Sequence, residues 1–125
     1  MAEKIYTETA PAAIGPYSQA VKANGIVYTS GQIAIVPASG NIEAADIQGQ
    51  TEQVMKNLGE VLKASGTDFS RIVKTTCFLA DIADFGAFNE VYGKYITGKP
   101  ARSCVAVKDL PKGALVEVEV IALTD

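Results

Sequence analysis

A single arginine interrupts a short apolar stretch near the end of the chain. Residues 100–107 alternate as a half-buried β-strand does, which places Arg102 on the same face as Cys104. A guanidinium is rarely buried without a partner, so we expect Arg102 to meet a carboxylate of the protein or an anionic ligand. Its planar fork of donors fits a carboxylate with two hydrogen bonds and would suit a small organic acid.

Two glutamates share one face of a second predicted strand, residues 115–123. That face turns apolar after Glu119, so we expect at least one glutamate at the rim of a covered surface. Partial burial there shifts the pKa of a carboxyl group and suits it to acid–base chemistry. Glu117 is therefore a candidate catalytic residue.

A short, turn-rich connection over residues 108–113 joins the two strands and predicts that they are antiparallel neighbours. The register of such a pair decides whether Arg102 and Glu117 share a face, and both registers stay open. Two interpretations of Arg102 follow: an ion pair with Glu117 or Glu119 that only supports the fold, or a site for an anionic ligand.

The composition excludes several kinds of mechanism. The chain has 125 residues, the size of one domain, and contains no histidine. Ser-His-Asp, Cys-His and histidine-metal chemistry are therefore excluded, which leaves carboxylates, tyrosines, lysines, backbone groups and water. Cys77 and Cys104 are too few for a disulfide scaffold or a four-cysteine metal site, and no Gly-rich phosphate loop is present. We expect neither a metal nor a cofactor.

Charge and hydropathy limit the partners. The net charge is −3 and the basic residues are scattered, so nucleic acid is not an expected partner. No apolar run approaches the roughly 20 residues that span a bilayer, and the first residues hold no apolar signal core. We expect no membrane association and a cytoplasmic location.

The remaining pattern predicts one α+β domain over residues 1–125. Asn24-Gly25 predicts a two-residue hairpin, Asp46 caps a helix that ends near residue 65, and a second helix covers residues 84–96. With a strand over residues 72–79, this order predicts a single mixed β-sheet with two helices on one face. The other face carries apolar and small side chains, so we expect other subunits to bury it.

Motifs along nearly the whole chain resemble one known family. The Rid family of reactive-intermediate deaminases, in its RidA or YjgF-like branch, has a C-terminal signature that residues 100–105 (PARSCV) and 116–119 (VEVE) resemble. Further motifs of that family are similar to residues 10–20 (APAAIGPYSQA), 29–33 (TSGQI) and 72–78 (IVKTTCF). The resemblance implies a chorismate-mutase-like fold and a homotrimer whose sheets enclose a barrel, with sites between subunits.

The resemblance also implies a reaction: hydrolytic deamination of reactive 2-imino acids, or their enamine tautomers, released by PLP enzymes. The activity would be that of a 2-iminobutanoate/2-iminopropanoate deaminase, giving a 2-oxo acid and ammonia. It implies that Arg102 clamps the substrate carboxylate, and that backbone groups at Cys104 and Gly31 orient the imine and a water molecule. Glu117 would hold or activate that water. Further pocket residues would be Tyr17, Ser30 and Asn89.

Structural interpretations stay open for some of these residues. Tyr17 could fill the core, and Ser30-Gly31 could mark only a bulge in a strand.

One departure from the family concerns residues 97–99, which lead straight to Pro100, whereas relatives commonly have a longer connection with an aromatic residue. Lys99 places a charge at this possible pocket wall, which predicts a preference for small or acidic substrates.

Two other functions compete with the deaminase. A non-catalytic 2-oxo acid-binding module, regulatory or partner-binding, would use Arg102 but would not need Glu117. A ribonuclease or translation-inhibitor role fits poorly with the missing histidines and the scattered positive charge.

Overall fold

The computed structural model describes residues 2–125 and follows the periodicity of the sequence closely. The strands are β1 (Glu3–Ile5), β2 (Ala20–Ala23), β3 (Ile26–Thr29), β4 (Ile35–Val36), β5 (Asn41–Ile42), β6 (Ile72–Leu79), β7 (Ala101–Ala106) and β8 (Val116–Leu123). The helices are α1 (Ile47–Ala64) and α2 (Phe85–Tyr95), with short 3-10 turns at Phe69–Arg71, Ile82–Asp84 and Pro111–Gly113.

The main sheet is six-stranded, in the order β1-β2-β3-β8-β6-β7, and β4 and β5 form a separate two-stranded ribbon. β6 and β7 are parallel, whereas the other neighbours in the main sheet are antiparallel. The predicted α+β class, with a mixed sheet and two helices, is confirmed; the β4-β5 ribbon was not predicted.

Local chemistry explains the best-predicted elements. Asn24 and Gly25 have φ angles of 52° and 76°, the left-handed conformation that a two-residue hairpin turn between β2 and β3 requires. The Asp46 carboxylate accepts a hydrogen bond of 2.7 Å from the Gly49 N–H and caps α1. Both predictions are confirmed.

One face of the main sheet packs against the two helices and forms the core. Val116, Val118, Val120 and Ala122 of β8 are at most 2% exposed and belong to the same cluster as Leu58 of α1. Burying a valine or leucine side chain contributes about 1.5–3 kcal/mol relative to leaving it exposed. The core therefore fixes which face of β8 points inward, and Glu117 and Glu119 must point to the other face.

The prediction that β7 and β8 are neighbours is wrong. β6 lies between them, because the β6-α2-β7 crossover places β7 parallel to β6 at one edge, and β8 pairs with the other. A short connection rich in Pro and Gly can join two neighbouring strands, or two strands with a third strand between them. Residues 108–113 therefore did not distinguish the two arrangements.

The registers place Arg102 and Glu117 on opposite faces of the sheet. Arg102 lies beside Thr75, which faces the helices, whereas Glu117 lies beside Phe78 on the far face. We call this far face, left uncovered in the chain, the open face. It carries the apolar side chains Tyr28, Phe78, Val105, Ile121 and Leu123.

Within residues 2–125, no helix is long and apolar enough to cross a membrane.

Candidate active site

Arg102 is held by one side of α2. Its Nη1 donates a hydrogen bond of 2.7 Å to Oδ1 of Asn89. The guanidinium carbon lies 4.9 Å from the centre of the Tyr92 ring and 5.4 Å from that of Phe85. These three helix residues are spaced at intervals of three and four, so they form one stripe facing β7. Cation–π contacts and one hydrogen bond thus orient the guanidinium, and Asn89 occupies only one of its five N–H donors.

A buried hydrogen bond links this stripe to the sheet. The hydroxyl groups of Tyr92 and Thr75 lie 2.8 Å apart, and Thr75 is the β6 residue beside Arg102. Burial raises the pKa of Tyr92, so its phenol stays protonated. Sequence reasoning did not include Phe85 or Tyr92 among the site residues, although their helical spacing from Asn89 could have indicated this positioning role.

Among the described residues, no carboxylate forms an ion pair with Arg102. Over residues 2–125 the one ion pair joins Arg71 to Asp125, at 3.1 Å. Glu117 and Glu119 lie across the sheet from Arg102, so the structural ion-pair interpretation fails within a single chain. The guanidinium instead borders a cavity of about 450 Å³ between α2 and the connection to β7.

Cys104 lies on the same face of β7 as Arg102, directly opposite Cys77 of β6. Burial raises the pKa of the Cys104 thiol, although the charge of Arg102 opposes the shift. Burial also raises the pKa of Cys77 to about 12. Both thiols are therefore protonated near neutral pH, and the geometry is compatible with the backbone role predicted for Cys104 rather than with a nucleophilic thiolate.

Glu117 borders a second cavity, of about 520 Å³, which Tyr17, Ser30 and Gly31 also line. A Cβ atom at Gly31 would lie 2.4 Å from Oε2 of Glu117, so only glycine allows this approach. β3 ends at Thr29, but beyond Ser30-Gly31 the chain pairs with β8 again at Gln32, one residue out of register, through two backbone hydrogen bonds to Val118. The bulge interpretation of Ser30-Gly31 therefore agrees with the structure.

The wall of this cavity is an irregular arm preceding β2. Tyr17 is 53% exposed, which excludes the core-filler interpretation for the single chain. The arm is fastened by Gln19, which is 2% exposed: its Nε2 donates to the carbonyls of Thr7 (3.0 Å) and Pro11 (2.8 Å), and its Oε1 accepts from the Thr7 N–H (2.7 Å). Ser30 donates its hydroxyl to the Ser18 carbonyl at 2.5 Å. Sequence reasoning did not single out Gln19, because a buried glutamine has no distinctive spacing.

The Glu117 carboxyl group is half-buried. Burial raises its pKa above the ordinary value of 4.5, and the nearby charge of Glu119 adds to the increase. A carboxyl group shifted in this direction exchanges protons more readily near neutral pH. Glu117 is therefore partly covered, whereas the apolar part of the same face beyond Glu119 stays exposed in the single chain at Leu123, so the covered surface expected there remains a prediction.

The predicted site residues fall into two groups. The clamp half-site consists of Asn89, Arg102 and Cys104, with Tyr92 in support. The carboxyl half-site consists of Tyr17, Ser30, Gly31 and Glu117. The sheet separates the two groups, so a single chain does not bring the clamp and the carboxyl group together.

Comparisons with known proteins give a consistent result. The family model described as endoribonuclease L-PSP matches residues 7–124. The chain is 53% identical over 121 residues to Reactive Intermediate Deaminase A, chloroplastic, of Arabidopsis thaliana, covering 96% of this chain and 65% of that protein. It is 50% identical to mouse 2-iminobutanoate/2-iminopropanoate deaminase, covering 95% and 89%. A crystal structure of a Rid family protein of unknown function from Yersinia pestis, YyfA, superposes with a TM-score of 0.96 at 51% identity, covering 99% and 100%.

Proposed function

The chain belongs to the endoribonuclease L-PSP family, and on this premise we propose that it is a hydrolytic deaminase of 2-imino acids and their enamine tautomers. Water adds to the C=N bond, the water oxygen becomes the carbonyl oxygen of a 2-oxo acid, and the nitrogen leaves as ammonia. Relatives at about half identity that are named as imine deaminases support this reaction. The observation that carries it is an oriented guanidinium, Arg102, that no carboxylate among residues 2–125 neutralises.

The active site is proposed to form between subunits of a homotrimer. Arg102 and Glu117 lie on opposite faces of one chain, so they can cooperate only if a second copy supplies one of them. The open face supports this assembly, because Tyr28, Val105 and Leu123 are each more than 40% exposed on it. Three sheets packed through this face would enclose the predicted barrel.

In the proposed mechanism, Arg102 binds the substrate carboxylate through its remaining N–H donors. Backbone groups at Cys104 and at Gly31 of the neighbouring copy orient the imine and the water molecule, while Ser30 and Tyr17 line the site. Glu117 accepts a proton from the water as its oxygen attacks the imine carbon, and passes that proton to the nitrogen to give a carbinolamine. It then transfers the hydroxyl proton of the carbinolamine to the same nitrogen, so that the C–N bond breaks and ammonia leaves as the C=O bond forms. Imines hydrolyse readily, so positioning and modest acid–base help suffice without a cofactor or metal.

The test measures release of 2-oxo acid and ammonia from 2-iminobutanoate that threonine dehydratase generates in place. We expect the native chain to accelerate the release and Arg102→Ala to abolish the acceleration, because the carboxylate loses its clamp. Arg71→Ala is the matched control, since Arg71 is the other arginine and pairs with Asp125 away from both half-sites. Acceleration retained by Arg102→Ala would contradict the proposed site.

Replacement of Glu117 separates the deaminase from a non-catalytic 2-oxo acid-binding module. Glu117→Ala should stop turnover while pyruvate binding stays within a few-fold of native. Unchanged turnover in this variant, or pyruvate binding without any turnover by the native chain, would favour the binding module. Nucleic acid is not an expected partner, because the chain is acidic and its basic residues are scattered.

Two further expectations accompany this proposal. Residues 1–125 are expected to act as one Rid-type domain. A cytoplasmic location remains the expectation for this chain, although one relative is named as chloroplastic.

A further inference from the structure

The cavity beside Arg102 contains a second positive charge. Lys99 lines the same 450 Å³ space, together with the polar side chains Asn89 and Thr97 and the apolar Ile96. None of its lining residues is acidic, although the chain as a whole carries a net charge of −3. Two cations that border one cavity without a carboxylate favour a ligand with two negative charges.

The backbone at Lys99 adds a second observation. Its φ angle is 52°, in the left-handed region, where a residue with a Cβ atom is less stable than glycine. Gly98 immediately precedes it and has open space around the position of a Cβ atom, with nothing within 4 Å. The connection therefore turns at a lysine directly before Pro100, and this conformation presents the lysine at the cavity. Such outliers concentrate at ligand sites.

We propose that Lys99 is a specificity-determining residue that binds a second carboxylate, and that the site prefers 2-imino dicarboxylic acids of four or five carbons. This inference rests on the proposed deaminase function. The Arg102 fork would take the carboxylate beside the imine carbon. The Lys99 ammonium, a mobile point charge on a four-carbon stem, would take the distal carboxylate. Asn89 and Thr97 supply polar neighbours, and the cavity volume lies within the range of small-ligand sites.

The inference requires Glu117 to tolerate the second negative charge. In the proposed trimer, the carboxyl half-site of a neighbouring copy completes the cavity and adds Glu117 and Lys112, which line the same space, to the two cations. The net balance therefore stays positive until the dicarboxylate binds. Partial burial, which keeps the pKa of Glu117 raised, lessens the repulsion further.

The experiment compares two substrates that differ in the distal carboxylate. 2-Iminosuccinate is generated from L-aspartate by an L-aspartate oxidase, and 2-iminobutanoate from threonine by threonine dehydratase. Rates above the uncatalysed hydrolysis give kcat/KM for each, and the ratio of the two is the readout. We expect Lys99→Ala to lower the ratio about tenfold, through the dicarboxylate alone, because one charged hydrogen bond is lost.

Three further variants separate charge from backbone shape. Lys99→Arg should keep the native ratio, and Lys99→Gly should lower it as Lys99→Ala does, although glycine fits the left-handed turn better. Lys94→Ala is the matched control: it removes one exposed lysine from the last turn of α2 that does not line the cavity, and should leave the ratio unchanged. The native ratio should fall with added salt.

The outcomes distinguish a failure of the proposed role of Lys99 from a failure of the proposed deaminase function on which it rests. A native chain active on 2-iminobutanoate, with the same ratio in Lys99→Ala, would overturn the role of Lys99 and leave the deaminase intact. An equal loss on both substrates would also overturn it, since Lys99 would then act only on the shape of the site. A folded native chain inactive on both substrates would overturn the deaminase and the inference with it.

Discussion

At the scale of single residues, the reactivity of Glu117 depends on a glycine. Gly31 allows the chain after β3 to approach so closely that the Glu117 carboxyl group lies against backbone and is half-buried. This burial raises the carboxyl pKa, and the catalytic proposal needs that shift. Gly31 thus contributes to the site because its lack of a side chain leaves room for the Glu117 carboxyl group.

Gly31→Ala should therefore damage activity more than stability. The added Cβ atom would lie 2.4 Å from Glu117 Oε2 and 2.7 Å from its Cδ, so the side chain must rotate away. Because the obstructing atoms belong to a flexible side chain, we expect the free energy of unfolding to fall by only about 1 kcal/mol, while kcat falls at least about tenfold.

The matched control is Gly86→Ala, on α2, where nothing lies within 4 Å of the added atom. It should keep native kcat and gain about 0.4–1 kcal/mol in stability. Urea denaturation and steady-state kinetics on the same preparations measure both quantities. Native kcat in Gly31→Ala would show that the position of Glu117 does not matter.

At the scale of elements, α2 and β6 together orient the clamp on β7. The Tyr92 ring lies over the guanidinium while its hydroxyl hydrogen-bonds to Thr75, the strand neighbour of Arg102. The two functions of Tyr92 can be separated, because the ring acts on Arg102 and the hydroxyl acts on the packing of helix against strand.

Tyr92→Phe should lose only the second function. It leaves the buried Thr75 hydroxyl without its partner, so we expect a loss of about 1 kcal/mol in the free energy of unfolding with KM nearly unchanged. Tyr92→Leu also removes the ring, so KM should rise a few-fold while kcat is kept. The pair Tyr92→Phe with Thr75→Val should cost less than the sum of the two single changes. Equal KM values in Tyr92→Phe and Tyr92→Leu would exclude the cation–π role of the Tyr92 ring.

Local patterns predicted the elements better than they predicted the neighbours. Asn24-Gly25 and Asp46 act on backbone groups within three residues, so sequence alone located the hairpin and the start of α1. The position of β6 between β7 and β8 depends on the α2 crossover and on pairing between distant residues, which no short motif encodes. The neighbour prediction failed for this reason.

At the scale of the whole molecule, the arrangement of the site likewise depends on pairing between distant residues, which no short motif encodes. The resemblance selected Arg102 and Glu117, and the structure places each in a cavity that suits its chemistry. Their relation could not be predicted, because strand parity left the faces open and the observed register separates them. The apolar open face, predicted from side chains on both sides of the strands, supports the proposal that two subunits share each site.

If sites form between subunits, two inactive variants should restore each other. Arg102→Ala keeps an intact carboxyl half-site, and Glu117→Ala keeps an intact clamp half-site. In a closed ring assembled at random from equal amounts, about one site in four pairs the two intact halves. Unfolding and refolding the two variants together should therefore give about a quarter of the native activity, measured as 2-oxo acid release.

Each variant refolded alone, and the two mixed without unfolding, serve as controls and should stay inactive, the latter as long as subunits do not exchange. The fraction of about a quarter holds for any closed ring in which each site takes one half from each of two neighbours, so it tests the shared site independently of subunit number. Sedimentation then has to supply the number three. Co-refolded rings of native size without recovered activity would mean that Arg102 and Glu117 never act on one substrate, and the proposed division of labour between them would be wrong.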